Sequence, residues 1–366
     1  MKVEILQEDF SGALNLTSRF VSTRAALPVL SNILLEAKKG KLSILATNLE
    51  ASICKNIGAK ILQEGEISVN AKVIFEIIAN LSHGSVLIES EKEGVKIFSE
   101  GFSGRVSGLS SSEFPVVPRE LSKNAFELDI ETLLNSLSKI IFATSKDETR
   151  PILTGVLFIF EKGVLSLVSS DGFRLSRISF KDSKLNLTKR ITIPRSVLSE
   201  IIRIKDETGH KIYLDFKEEE NQALFSFSDS VIASRVIEGD FPNFEKIIPK
   251  SIATKVYVDR ETFVRAIKLA SAFARDSANI IKITVNENNV EISSQSAKSG
   301  EQKTKMDARV EGVGLTISYN YRFLEEFLGI CESEEVEIGL NDSASPGVFR
   351  DSKNPDFLHL IMPVKI

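Results

Sequence analysis

Three histidines, His83, His210 and His359, are the side chains best suited to move protons or hold a metal near neutral pH. None has a His, Cys, Asp or Glu three or four residues further on, the spacing that brings two ligands to one helix face. No GxxxxGK[ST] loop, glycine-rich dinucleotide turn or GxSxG elbow occurs. Asp171-Gly172 reads as a turn rather than a catalytic carboxylate. Cys54 and Cys331 stand far apart and read as free structural thiols in a reducing cytosol. These residues predict no catalytic centre, no metal and no cofactor. Cations are more suggestive. Arg24, then Lys146 and Arg150, then Arg275 recur in comparable loops, where they could touch phosphates or simply be solvated. The end, LIMPVKI, is apolar, so it should dock as a strand or line a pocket.

The elements that would position these residues recur three times. Phe10, Leu14, Thr17 and Phe20 share their spacing with Leu133, Leu137, Ile140 and Ala143, and with Phe263, Ile267, Ala270 and Phe273. The steps of four, three and three mark one face of a helix, and Ala13, Ser136 and Ala266 supply a small residue at the same place. The windows 28–50, 151–173 and 279–296 each read as two strands about a turn, with Gly40, Gly163 and Asn288 matched. Second helices are predicted at 71–81, 194–204 and 320–330, the middle one with Pro194 in its first turn. Another strand pair follows each. FPVVP (114–118) and FPNFEKIIP (241–249) close the first two units. Domains are expected at 1–120, 125–248 and 252–366, each large enough for its own core.

The 366 residues are 42 % hydrophobic and 26 % charged, with a net charge of −4 and no apolar run near the roughly 18 residues of a membrane helix. The start, MKVEILQEDF, lacks the apolar core of a secretory signal, so a cytoplasmic protein without a membrane partner is expected. The acidic balance argues against tight non-specific clamping of nucleic acid, though the six helix windows are less acidic than the rest. With no Trp and four Tyr, no platform for stacking single-stranded bases is evident.

RAALPVLSNILLEA (24–37), LATNLE (45–50), SSDGFRLS (169–176), FPNFEKIIP (241–249) and IMPVKI (361–366) carry a family likeness. Through them the whole chain resembles the bacterial sliding clamp, the beta subunit of DNA polymerase III. The resemblance implies an α+β chain of three DNA-clamp domains, each with two helices packed on antiparallel sheet. Two chains would close head-to-tail into a dimeric ring, helices inside and sheets outside. It implies a non-catalytic processivity factor that encircles double-stranded DNA without sequence preference. Its partners would be the polymerase III alpha subunit, the clamp loader, and other polymerases and repair proteins.

The family's peptide pocket, between the second and third domains, maps onto Leu153, Ser170, Gly172, Phe173, Arg174, Leu175, Pro242, Lys246, Ile247, Pro346, Leu360, Ile361, Met362, Pro363 and Val364. Phe173 stands where the family often has His or Tyr, and Pro346 where it often has Ser. Arg24, Lys72 and Arg195 match DNA-facing positions, to which Lys146, Arg150, Arg203 and Arg275 are added as candidates, and Asp147 departs from the family's uncharged contact. Val106, Ala272 and Phe273 match the dimer interface, but Gly104 replaces the bulky aromatic two residues before Val106. Two rival readings remain from the residues alone. One is a monomeric repeat-built binding module, and the other is an enzyme with a site between domains.

Overall fold

The computed structural model describes residues 1–22, 27–182, 185, 187–204 and 211–365. Six helices occur among them: α1 Gln7–Thr17, α2 Ala71–Ala79, α3 Ile130–Ile140, α4 Arg195–Arg203, α5 Arg260–Ala274 and α6 Tyr321–Ile330. Four of the starts, those of α2, α3, α5 and α6, follow from side chains that satisfy otherwise orphaned N–H groups, whereas Leu6 before α1 offers none. Asn70 accepts from the Val73 amide, Asp129 from Thr132 at 2.8 Å, Asp259 from Thr262 at 2.8 Å, and Asn320 from Arg322. Pro194 ends a strand immediately before α4 rather than lying inside its first turn. α1 ends at Thr17, short of Phe20, the last residue of the predicted helix face. The Thr17 and Ser18 hydroxyls donate to the carbonyls of Ala13 and Leu14 at 2.9 and 2.6 Å, and a 3₁₀ turn follows at Ser18–Phe20.

The shared helix stripe is the core. Every one of its positions in α1, α3 and the turns after them is buried, as are Phe263, Ile267 and Ala270 in α5. Phe273 is the exception and stays half-exposed. The hairpins also share geometry in the first two repeats. Lys39-Gly40 and Lys162-Gly163 both take two successive positive φ values, 51° with 75° and 50° with 76°. That turn matches the twist of the flanking strands. The third repeat departs from the expected match. Asn288 has no positive φ, and the loop is instead closed by the Asn286 amide donating to the Asn289 carbonyl.

The chain divides into two compact units, Met1–Leu133 with Ser199–Val236, and Leu134–Leu198 with Ile237–Ile366. The first contains a thirteen-stranded sheet. Within it, strand Ala51–Gly58 of the first repeat pairs antiparallel with Ser230–Arg235 of the second, Cys54 opposite Val231. The second contains sheets of nine and four strands. Its corresponding seam joins Arg174–Lys181 of the second repeat to Phe357–Ile361 of the third, with Leu175 opposite Leu360 and Ser176 opposite His359. The middle repeat therefore contributes to both units, because its two strand sets continue different sheets. Cys54 and Cys331 are buried free thiols, and burial pushes them up to about 11 and about 12.

Candidate functional site

Within the second unit, one sheet face carries a buried apolar cluster of Leu157, Ile159, Val168, Leu175, Val348 and Leu360, with Phe244 laid on it. Alternation along the strands puts these side chains on one side. The segment 241–247 crosses this face and ends in a 3₁₀ turn, Phe244–Ile247. Between them lies a cavity of about 310 Å³. That is at the small end of ligand sites, with room for one or two apolar side chains. Its walls are Leu153, Leu175, Phe241, Pro242, Ile247, Leu360 and Met362, with polar atoms from Arg150, Ser170, Arg174 and Asn243.

The rim is the turn Ser170–Arg174. Gly172 takes φ +92°, a left-handed conformation that suits glycine. Asp171 Oδ1 accepts from the Phe173 and Arg174 amides at 2.9 and 3.0 Å, and Ser170 Oγ accepts from the Gly172 amide at 3.1 Å. The Met362 amide donates to the Phe173 carbonyl at 2.8 Å, so the apolar end of the chain is held by this turn. Val364 likewise donates to the Ser318 carbonyl. The expectation that this end would dock as a strand or line a pocket is met in part by each: Leu360 and Ile361 end a strand, and Leu360 and Met362 line the cavity.

Arg174 is only 7 % exposed and is consumed internally. It donates to Asp171 Oδ2 at 3.0 Å, to the Phe142 carbonyl at 2.9 Å and to Glu326 of α6. Its guanidinium lies over the Phe142 and Phe323 rings. It is a strut of the wall as much as a contact for an occupant. Beneath the floor, His359 Nδ1 bonds Ser176 Oγ at 2.8 Å and the ring stacks on Phe327. Burial, reinforced by the nearby Arg174 charge, lowers His359 to about 3 and keeps it neutral. His359 is therefore a packed core ring, whereas His83 sits at the surface beside Glu8 and His210 lies outside the described residues.

Of the residues mapped to the pocket from sequence, Leu153, Ser170, Gly172, Arg174, Leu175, Pro242, Ile247, Leu360 and Met362 line the cavity. Phe173 points outward at 61 % exposure, and Ile361 is fully buried. Lys246, Pro346, Pro363 and Val364 do not line it. Phe241, Asn243 and Phe244 were missed, although FPNF is the apolar phrase that already marked the end of the second repeat. Arg150 was expected among the DNA contacts. It is exposed and lines this cavity, its Nη2 donating to the Asp171 carbonyl at 3.3 Å.

The remaining basic candidates are spread over both compact units. Lys72 on α2 is exposed and 3.8 Å from Glu76. Arg203 on α4 pairs with Glu200 at 2.6 Å. Arg195 is half-buried, and Lys146 and Arg275 are exposed. Asp147 is lowered by hydrogen bonds from the Thr149 hydroxyl and amide, which tie the loop carrying Lys146. Arg24 lies outside the described residues. At the expected interface, Val106 is buried at 4 % within its own chain, while Ala272 is exposed. The face of strand Phe102–Leu109 beside Val106 carries Gly104, and the Phe102 ring lies on it. A Cβ at Gly104 would stand 2.7 Å from Phe102 Cζ. Phe102 thus supplies an aromatic ring over the place where Gly104 has no side chain.

Family profiles for the N-terminal, central and C-terminal domains of the DNA polymerase III beta subunit match residues 1–118, 127–243 and 245–365. The chain is 29 % identical over 376 aligned residues to the beta sliding clamp of Synechococcus elongatus, covering 100 % of each. It is 27 % identical to that of Staphylococcus aureus, covering 100 % of this chain and 99 % of the other. Among solved structures it resembles the polymerase III beta subunit of Thermotoga maritima, with 27 % identity and a TM-score of 0.93. It also resembles the DNA polymerase sliding clamp of Bacillus subtilis, with 26 % identity and a TM-score of 0.95. Both alignments cover 100 % of this chain and 99 % of the other. With three repeats of the same helix-and-sheet unit matched end to end, the chain has the three-domain clamp fold and belongs to the DNA polymerase III beta-subunit family of sliding clamps.

Proposed function

We propose that this sliding clamp is a non-catalytic, cytoplasmic processivity factor that closes as a homodimeric ring around duplex DNA. The observation that carries the tethering role is the cavity of about 310 Å³, apolar, small and pre-formed, with the end of the chain as one wall. Such a site suits an anchor side chain of a short peptide. The polymerase III alpha subunit, the clamp loader, and other polymerases and repair proteins would supply that peptide. Tethering by it raises a partner's effective concentration at the primer end. The domain limits 1–120, 125–248 and 252–366 are part of this reading and are supported by the spans of the family profiles.

For the ring, strand Phe102–Leu109 of one copy and strand Gly300–Asp307 of another would meet, with Phe102, Ala272 and Phe273 between them. The Gly300–Asp307 strand is terminal in its four-stranded sheet, and terminal strands carry unpaired backbone groups. A head-to-tail contact of this kind closes a ring when its rotation closes. Exposed cations such as Lys72 and Arg203, each paired with a neighbouring carboxylate, suit DNA held by topology, because each phosphate contact must break at every sliding step.

The test is loading onto nicked circular DNA with clamp loader and ATP, followed by linearising half the sample and gel filtration. Retention on circles and loss from linear DNA is expected. Equal retention on both would overturn the ring.

A further inference from the structure

A second cavity, of about 290 Å³, opens on the same sheet face as the first, with Phe244 as a wall of both. Its character differs. Lys162, Arg177 and Arg190 line it against two carboxylates, Glu161 and Glu245. Its floor includes the buried Ile159 and Ser166. Arg190 is 3.6 Å from Glu245, and both are exposed. Arg177 is half-buried, and neither it nor Lys162 forms an ion pair among the described residues. The strand register connects the two cavities. Arg177 stands opposite Val168 and two residues beyond Leu175, a step of about 7 Å along one face.

We infer that this groove holds an acidic segment flanking the apolar anchor of a partner peptide, so that Phe244 divides an apolar subsite from a basic one. The inference rests on the peptide reading of the first cavity. An extended chain advances about 3.3 Å per residue, so an acidic residue two to four positions from the anchor reaches Arg177. The unpaired, half-buried guanidinium offers its donors without first breaking a bond of its own. A carboxylate approaching Arg190 must compete with Glu245, which gives the two arginines different signatures.

The test uses synthetic peptides with one Leu-Phe anchor and either three Asp or three Asn, placed in turn on each side, titrated by fluorescence anisotropy. From exposed and half-exposed ion pairs, one Asp-flanked peptide should bind about fivefold tighter than its Asn counterpart at low salt. The gap should close near molar salt, where the screening length falls to about 3 Å. Arg177→Gln should remove most of the gap and leave the Asn-flanked peptide unchanged. Glu245→Gln should widen it, because a competing carboxylate is gone. Equal binding of Asp and Asn peptides, in both placements and at low salt, overturns the basic subsite while leaving the apolar pocket standing. Failure of every anchor peptide to bind overturns the pocket reading and this inference with it.

Discussion

The pocket and the basic residues of the helices are built on opposite principles. In the pocket, side chains from the second repeat, the segment 241–247 and the end of the chain converge, and nearly every polar atom of the rim is already bonded within the protein. On the helices, Lys72 and Arg203 each sit exposed beside their own carboxylate. A converged, desolvated site concentrates binding energy in a few groups. Dispersed surface cations act additively, weakly and through salt. The proposed function, gripping partners while sliding on DNA, would draw on both kinds of surface.

The largest effect should come from the strut of the pocket. Arg174→Ala takes the guanidinium from Asp171 Oδ2 and Glu326 and empties the space between Phe142 and Phe323. A loss of about 3 kcal/mol is expected, read as a lower unfolding midpoint together with lost peptide binding. Unchanged stability would mean that Arg174 serves only the occupant. The floor gives a pH signature. The folded His359 sits near 3 against an ordinary 6.5, so the unfolded chain takes up a proton that the native one refuses. Stability from this group is intact above pH 6.5 and falls as pH drops from there toward 3. Thermal melts from pH 7 to 4 should fall more steeply than those of His359→Gln. Parallel profiles would remove the histidine from the account.

Met362→Ala trims a wall without touching the rim, so peptide affinity should fall about tenfold with the melting point nearly unchanged. A matched loss of stability would erase the distinction between wall and strut. Phe102→Ala should weaken the dimer severalfold by sedimentation, leaving peptide affinity alone. A dimer as strong as the parent's would mean that the ring over Gly104 is packing only. Lys72→Ala should be the smallest change, lowering the salt slope of duplex binding by about one unit. A tenfold loss at one salt concentration would place Lys72 in a concentrated site and collapse the contrast.

Hydrophobic period determined the helices of this protein. The stripe from Phe10 to Phe20 and its two copies fix which face is buried, because an apolar row at helical spacing has one low-energy side. The turn pairs Lys39-Gly40 and Lys162-Gly163 are equally local, since glycine tolerates the positive φ that a tight hairpin demands. The single failure of the stripe, half-exposed Phe273, falls where the family likeness had placed the interface. The likeness also named most of the pocket wall, from Leu153 to Met362.

Tertiary structure alone decided how the repeats share their sheets. The pairings of Ala51–Gly58 with Ser230–Arg235 and of Arg174–Lys181 with Phe357–Ile361 join strands roughly 180 residues apart, and nothing local specifies such a register. The same holds for Arg150. Its position in the chain put it among loop cations, and only the fold of the Ser170–Arg174 turn brings its guanidinium to the Asp171 carbonyl. Side-chain direction and long-range pairing depend on the whole packed arrangement, whereas periodicity and turn chemistry are settled within a few residues.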